Sequence, residues 1–497
     1  MSIETGISLA GYFLLMLAIG LYAYRKSTSN VSEFMLGGRQ LPPAVAALSA
    51  GASDMSGWML LGLPGAVFVS GLDAAWIAVG LTIGAWANYH LVAPRLRIYT
   101  EQVDDAVTIP DFLEKRFDDR SRALRIIAAL VIIIFFTLYT SAGLVAGGKL
   151  FEASFGYDYR LGIAITAGVV LAYTLFGGFL AVSLTDFVQG VIMFIALVAV
   201  PVMALVILGG WTPTTEIVTA DNPNYLSWFK GVSAIGLLSS LSWGLGYFGQ
   251  PHIIVRFMAV RSLADVGPMR RIGMSWMIVT VIGAVLTGIT GLAWTRSTSL
   301  TVPDPETVFI LLSQALFNPY VAGFLLAAIL AAIMSTISSQ LLVSSSSLTE
   351  DAYKTFLRPE ASQKELVLVG RITTFAVALV AALLALDPSN NVLGLVGNAW
   401  AGFGAAFGPI VLLSLHWRGL TREGALTGMI AGAGTVLAWL YAPFTIAGEA
   451  PSAFIYEIIP GFAVGLAAAV LVSKFGPAIA PGIARHFTRM EEAMRQA

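Results

Sequence analysis

Cysteine is absent from the 497 residues, which excludes disulfides, thiolate metal sites and cysteine nucleophiles. Charge is scarce. Asp, Glu, Lys and Arg make up 11% of the chain, where a soluble domain carries about 25%. The formal net charge is −1, so no polyanion is attracted and nucleic acid is not expected as a partner. Histidine is nearly absent as well. His90, His252, His416 and His486 stand apart, without the spacing of a metal-ligand set. No nucleophile–base pair, metal cluster or quinone motif appears, so neither an enzyme nor an organic cofactor is expected, and no obligate protein partner is evident. What the chain has is apolar length: 57% of its residues are hydrophobic and its mean hydropathy is +0.81. The lipid bilayer is its expected surrounding.

A membrane-crossing helix needs about 20 apolar residues. Thirteen such spans are expected, near 6–24, 42–70, 72–94, 124–149, 161–181, 186–209, 231–255, 272–294, 316–348, 366–386, 392–416, 423–442 and 453–473. The first is not read as a cleaved signal, because residues 1–6 carry no Lys or Arg while Arg25 and Lys26 follow the apolar run. Basic residues gather on the cytoplasmic side of a membrane protein. With the N-terminus outside and thirteen crossings, 24 of the 28 basic residues fall inside, and only Lys149, Arg160, Lys230 and Arg296 fall outside. A missed or extra crossing would invert that pattern downstream. The expected placement is a plasma (inner) membrane of bacterial type, N-terminus periplasmic and C-terminus cytoplasmic. The longest loop, 95–123, contains "TIPDFLEKRF", which suits a short interfacial helix.

Three spans do not read as simple helices. Residues 48–65, "LSAGASDMSGWMLLGLPG", place Asp54, three serines and four glycines inside an apolar run. A carboxylate at the bilayer centre costs about 2.5–3.5 kcal/mol on insertion scales, and each mid-helix glycine about 1 kcal/mol against alanine. Close helix packing explains the glycines and serines; it does not explain Asp54. A break in the helix explains both, because unwound backbone lining a cavity offers its carbonyls as ligands. The second patch is "AAIMSTISSQLLVSSSS", 331–347, where Ala332, Ser335 and Thr336 fall at i, i+3 and i+4 on one helix face. Back-bonding of the hydroxyls to their own helix is the plain alternative. A carbonyl and two hydroxyls set against a broken helix would suit a small hard cation. The third patch is "SLSWGLGYFGQP", 240–251: Trp243 and Tyr247 share a face, and Gly246, Gly249 and Pro251 loosen the helix beyond them. Interrupted spans at corresponding positions of two halves mark transporter sites. The interrupted second and seventh spans have the spacing of a five-plus-five repeat.

These stretches, with "LGGR" (36–39), "TLYTSAGLVAGGKLFE" (137–152), "FGGFLAVSLTDFVQ" (176–189) and "WGLGYFGQPHIIVRFMA" (243–259), resemble the sodium/solute symporter family over nearly the whole chain, and most of all its sodium/proline branch. The resemblance implies an all-α polytopic protein of the LeuT-type fold, with inverted repeats of helices 2–6 (residues 42–209) and 7–11 (231–416). Residues 1–41 then form the first span and its loop, 210–230 an extracellular loop, and 417–497 two further spans and a tail. It implies a sodium site from the backbone oxygens of Ala52, Met55 and Ala332 and the hydroxyls of Ser335 and Thr336. It implies a part in sodium coupling for Asp54, Arg39 and Asp186. Solute contact falls to Ser53, Ser56, Gly57, Tyr139, Trp243, Tyr247 and Pro251. Departures such as Thr140 and Ser141 bear on affinity and fine selectivity, not on class.

The implied activity is symport of Na+ with L-proline. Other amino acids, monocarboxylates, pantothenate and sugars are the nearest alternatives. A sugar would call for more Asn, Gln, Glu and Lys around the pocket than this aromatic wall supplies. A transporter-like membrane sensor would call for a fused cytoplasmic domain, and no segment here is long enough to form one.

Overall fold

The computed structural model describes residues 2–26, 36–446, 448–477, 479 and 481–496. The expected first loop falls largely on 27–35, outside the described residues. The architecture is helical throughout. In chain order it runs α1 (Ile3–Lys26), α2 (Pro43–Asp54), α3 (Leu63–Ser70), α4 (Ala75–Leu91), α5 (Ala93–Gln102), α6 (Ile109–Phe117), α7 (Ala123–Phe155), α8 (Tyr159–Ile207), α9 (Trp211–Thr219) and α10 (Ala234–Ser242). It continues with α11 (Pro251–Ala259), α12 (Val266–Ser297), α13 (Val308–Leu316), α14 (Pro319–Ser346), α15 (Gln363–Leu384), α16 (Val392–His416), α17 (Arg422–Tyr441), α18 (Pro451–Phe454), α19 (Ile458–Phe475) and α20 (Pro481–Gln496).

Nine helical stretches among the described residues are long and apolar enough to cross a membrane. The other expected spans fall on shorter or interrupted helices, for physical reasons. The 42–70 span breaks after Asp54 and resumes through a π-helical turn, Trp58–Gly62. The 231–255 span breaks into a 3-10 stretch, Trp243–Gly249. The 72–94 span holds a helix of only 17 residues, Ala75–Leu91. The spans at 161–181 and 186–209 run on as α8, divided where Gly178 takes φ 60° and ψ −167°. The span at 316–348 reads in sequence as doubtful and proves to be an unbroken helix. Its hydroxyls bond back along their own helix, Thr336 to the Ala332 carbonyl at 3.1 Å and Ser338 to that of Ser335 at 3.1 Å, so the serine run does not unwind it.

Burial sorts these helices. Of the most apolar stretch of Pro319–Leu357, 89% of residues are buried, and of Val392–His416, 83%, against 28% for Ile3–Ala23 and for Ile458–Phe475. Leu14 and Leu21 on α1, Leu368 and Phe375 on α15 and Leu471 on α19 are exposed, as suits an outer ring facing lipid tails. α14 and α16 form the centre. α14 packs on α1, α2, α7 and α8, and α16 on α7, α17, α19 and the 3-10 stretch. The "TIPDFLEKRF" segment is helical as expected: Thr108 caps α6 by accepting from the Asp111 N–H.

Candidate functional site

The break in α2 is local and complete. Met55 leaves the helix (φ −84°, ψ 78°) while its N–H still reaches the Gly51 carbonyl at 2.8 Å. The Ser56 N–H turns back to the Asp54 carbonyl at 3.0 Å. Three carbonyls around the break meet side-chain donors. Ser335 on α14 donates to the Ala52 carbonyl at 2.7 Å and to that of Ala332 at 3.2 Å. Thr336 donates to the same two oxygens at 3.4 and 3.1 Å. The Asp54 carbonyl accepts from Trp58 Nε1 at 3.1 Å and from the Tyr139 hydroxyl at 3.4 Å. Four of the five oxygens expected of a sodium site thus lie in one hydroxyl–carbonyl cluster, buried from solvent. The fifth residue, Met55, is buried beside them, its sulfur accepting from Thr280 at 3.8 Å.

The Asp54 carboxylate sits on the other side of the break, 2% exposed. The Tyr247 hydroxyl donates to its Oδ2, and Oδ1 has no hydrogen-bond partner among the described residues. The Tyr247 ring stands edge-on to Trp400, centroids 5.0 Å apart. Trp400 Nε1 donates to the Trp243 carbonyl at 2.7 Å. Asp54, Tyr139, Tyr247 and Trp243, drawn from three separate helical segments, are brought into one connected set, with Trp400 as the link that sequence reading missed. Gly246 makes the link possible: a Cβ there would lie 1.9 Å from Trp400 Nε1. The glycine-flanked "GNAWAGFG" of α16 (397–404) is the signal that marks this tryptophan in sequence.

A second polar node lies beside the first. Asp186 Oδ2 accepts from Ser49 at 2.8 Å and from Ser53 at 3.0 Å, and Arg256 Nη2 lies 3.2 Å away. Arg256 also donates to Ser339 at 2.7 Å and to Ser49 at 3.1 Å. Both charged side chains are fully buried, so they depend on each other. Ser53 therefore faces Asp186, with Ser339 at 2.9 Å. Arg256 and Ser339 are further residues that sequence reading missed; the arginine in the mostly apolar α11 was the available signal.

The remaining expected residues are placed as follows. The Ser56 hydroxyl accepts from the Trp58 N–H at 3.4 Å, within the break. Gly57 lies against α7 and α14, where a Cβ would sit 2.8 Å from that of Ala146. Pro251 opens α11 and lines a small, mostly apolar cavity with Phe179, Ile132 and Leu342. Arg39 belongs to a separate cluster: it donates to Asp105 at 2.6 Å, to Thr100 at 3.1 Å and to the carbonyls of Ala106 and Met258 at 2.7 and 2.8 Å. Burial draws its guanidinium pKa down, opposed by the Asp105 charge. Through Met258 it holds the end of the helix that carries Arg256.

Residues 34–432 match the model of the sodium:solute symporter family. The chain belongs to this family. It is 57% identical over 496 residues, all of both chains, to the osmoregulated proline transporter OpuE of Bacillus subtilis (strain 168). It is 55% identical over 474 residues to a sodium/proline symporter of Staphylococcus aureus (strain JH9), covering 95% of this chain and 92% of that relative. Among solved structures, a Na+-coupled sialic acid symporter in a substrate-bound outward-open state superposes with a TM-score of 0.79 at 19% identity, over 96% of this chain and 99% of the other. Mhp1, a nucleobase-cation-symport-1 family transporter in a closed conformation, gives 0.57 at 13% identity, over 93% and 99%. These likenesses place the chain in the LeuT-type fold as a multi-pass membrane transporter, not an enzyme.

Proposed function

We propose that this protein couples inward movement of Na+ to uptake of L-proline by alternating access. The observation that carries the reading is the meeting of the Ser335 and Thr336 hydroxyls with the Ala52 and Ala332 carbonyls across the break of α2. An all-oxygen set of this kind suits a small hard cation. Sodium there pins α2 to α14, with the Met55 carbonyl as a further ligand. Asp54 lies on the solute side of the same break. Its unpaired oxygen makes a buried carboxylate that a cation stabilises. Proline is a zwitterion with a compact apolar ring. The aromatic wall of Tyr139, Trp243 and Tyr247 encloses the ring and meets the ammonium through cation–π attraction worth about 0.5–2 kcal/mol. Ser56 and Gly57 line the break, and Ser53 joins the solute region to Asp186. Asp186 acts beside the break, through Ser49 and Ser53; Arg39 acts at a distance, through Met258 at the end of α11, the helix that Pro251 opens. Both named relatives are proline transporters.

One ion is sufficient. A sodium ion falling through about 100 mV gives about 2.3 kcal/mol, and a tenfold gradient adds about 1.4 kcal/mol. Together these concentrate a solute several hundredfold. The proposed frame has thirteen crossings, the N-terminus outside, and inverted repeats over 42–209 and 231–416, each opening on an interrupted helix. The test is radiolabelled proline uptake into proteoliposomes, with and without an imposed sodium gradient. Sodium-dependent accumulation, competed weakly by other amino acids, is the expected result. Sodium-protected unfolding without proline uptake would retain the ion site and move the solute to another small molecule.

A further inference from the structure

Trp243 is held from outside its own helix. Tyr456, two residues ahead of α19, stacks on it with ring centroids 5.2 Å apart and planes at 24°. The Tyr456 hydroxyl donates to the Gly397 carbonyl on α16 at 2.7 Å, and its N–H donates to the Ser239 hydroxyl on α10 at 3.1 Å. The preceding carbonyl, that of Ile455, accepts from Trp439 Nε1 on α17 at 3.1 Å. Gly397 closes the arrangement: a Cβ there would lie 3.2 Å from the Trp243 ring and 3.8 Å from the Tyr456 hydroxyl. The segment between the last two long helices, outside both proposed repeats, thus reaches into the aromatic wall and fixes one ring from behind.

We propose that Tyr456 is a positioning residue that sets the size limit of the solute pocket. By stacking on Trp243 and tying α10 to α16, it stops the indole from swinging away from Tyr247 and Trp400, and through its bond to Ser239 it covers the last turn of α10. The inference rests on the reading of Trp243 as part of the solute wall. An apolar pocket discriminates one methylene by about 10–200-fold when its wall cannot move; a freed wall loses that discrimination.

Two measurements test it, one with solute and one without. In the first, uptake of proline is compared with uptake of its six-membered-ring homologue, piperidine-2-carboxylate. Tyr456→Ala is expected to raise the homologue-to-proline ratio of kcat/KM by at least about tenfold, chiefly through KM. Tyr456→Phe keeps the stacked ring and is expected to retain the wild-type ranking. In the second, a single cysteine is introduced as Ser242→Cys, next to Trp243 in a chain that has no native cysteine, and is labelled with a membrane-impermeant maleimide. Tyr456→Ala is expected to speed labelling about tenfold or more, and Tyr456→Phe to leave it unchanged. Tyr456→Leu serves both measurements if the alanine variant fails to fold. Unchanged size ranking together with unchanged labelling would overturn the proposal. Faster labelling in a protein that carries no proline would overturn the choice of solute and leave the role of Tyr456 standing.

Discussion

The two broken helices meet the same physical problem in different ways. A break at membrane depth frees carbonyls that must find donors. At the first break the donors are hydroxyls from another helix, Ser335 and Thr336, together with the Trp58 indole and the Tyr139 phenol. The chain there is short-sided, and the freed oxygens stay clustered. At the second break the backbone keeps a tighter coil from Trp243 to Gly249 before Gln250 turns extended (φ −83°, ψ 104°). The space is filled with rings: Trp243, Tyr247 and, from α16, Trp400, which donates to the Trp243 carbonyl and whose own carbonyl accepts from Gln250 Nε2 at 3.1 Å. One break concentrates oxygen and the other concentrates aromatic surface. In the proposed reading the ion goes to the first and the apolar body of the solute to the second, with Asp54 and Tyr247 hydrogen-bonded between them.

Five single substitutions and one double variant break or sharpen this contrast. The largest effect is expected beside the first break, where Arg256→Met leaves Asp186 buried without its partner, at a cost of about 3–5 kcal/mol. A steep fall in melting temperature is expected, with much of it restored in the double variant Asp186→Asn/Arg256→Met; no recovery in the double variant would deny that the pair acts as a unit. Asp54→Asn is expected to raise the sodium concentration for half-maximal uptake by on the order of 100-fold, since a charged buried partner is worth about 1.5–3 kcal/mol. Wild-type sodium activation in that variant would return Asp54 to a structural role. At the second break, Gly246→Ala forces Trp400 to move. Overpacking costs about 1–3 kcal/mol, and the change is expected to raise the KM for proline by about tenfold while sodium affinity measured without solute stays near wild type. If both parameters rose together, the division between the breaks would fail. The smallest effect is expected for Ser335→Ala and Thr336→Val singly. Each removes one oxygen of the cluster and is expected to weaken sodium activation by about tenfold, the equivalent of about 1.4 kcal/mol, with the proline KM at saturating sodium unchanged.

Much of this site is legible in the sequence because its signals are local. The weak helix formers around Asp54, the i, i+3, i+4 spacing of Ala332, Ser335 and Thr336, and the glycines after Trp243 each report on a few consecutive residues, and the family motifs fix their order. What sequence reading missed depends on partners far apart along the chain. Arg256 meets Asp186 across 70 positions, and Trp400 reaches Trp243 across 157. Periodicity carries no information about such pairings. The serine-rich 316–348 span misleads for a related reason. The same hydroxyls that could unwind a helix can also bond back along it, and the close packing of α14 among α1, α2, α7 and α8 favours the second outcome. Arg39 and Asp186, linked by the resemblance through a shared role, occupy different clusters, and α11 bonds to both, through Met258 to the first and Arg256 to the second.

The most direct test of sodium–proline coupling is the affinity of the purified protein for proline at equilibrium, with sodium and with sodium replaced by a large inert cation. Sodium that pins α2 to α14 beside the solute wall must strengthen proline binding, and proline must strengthen sodium binding by the same factor. An increase of at least tenfold in proline affinity is expected, about 1.4 kcal/mol of coupling. Equal affinities in the two conditions would contradict the coupling of the two breaks.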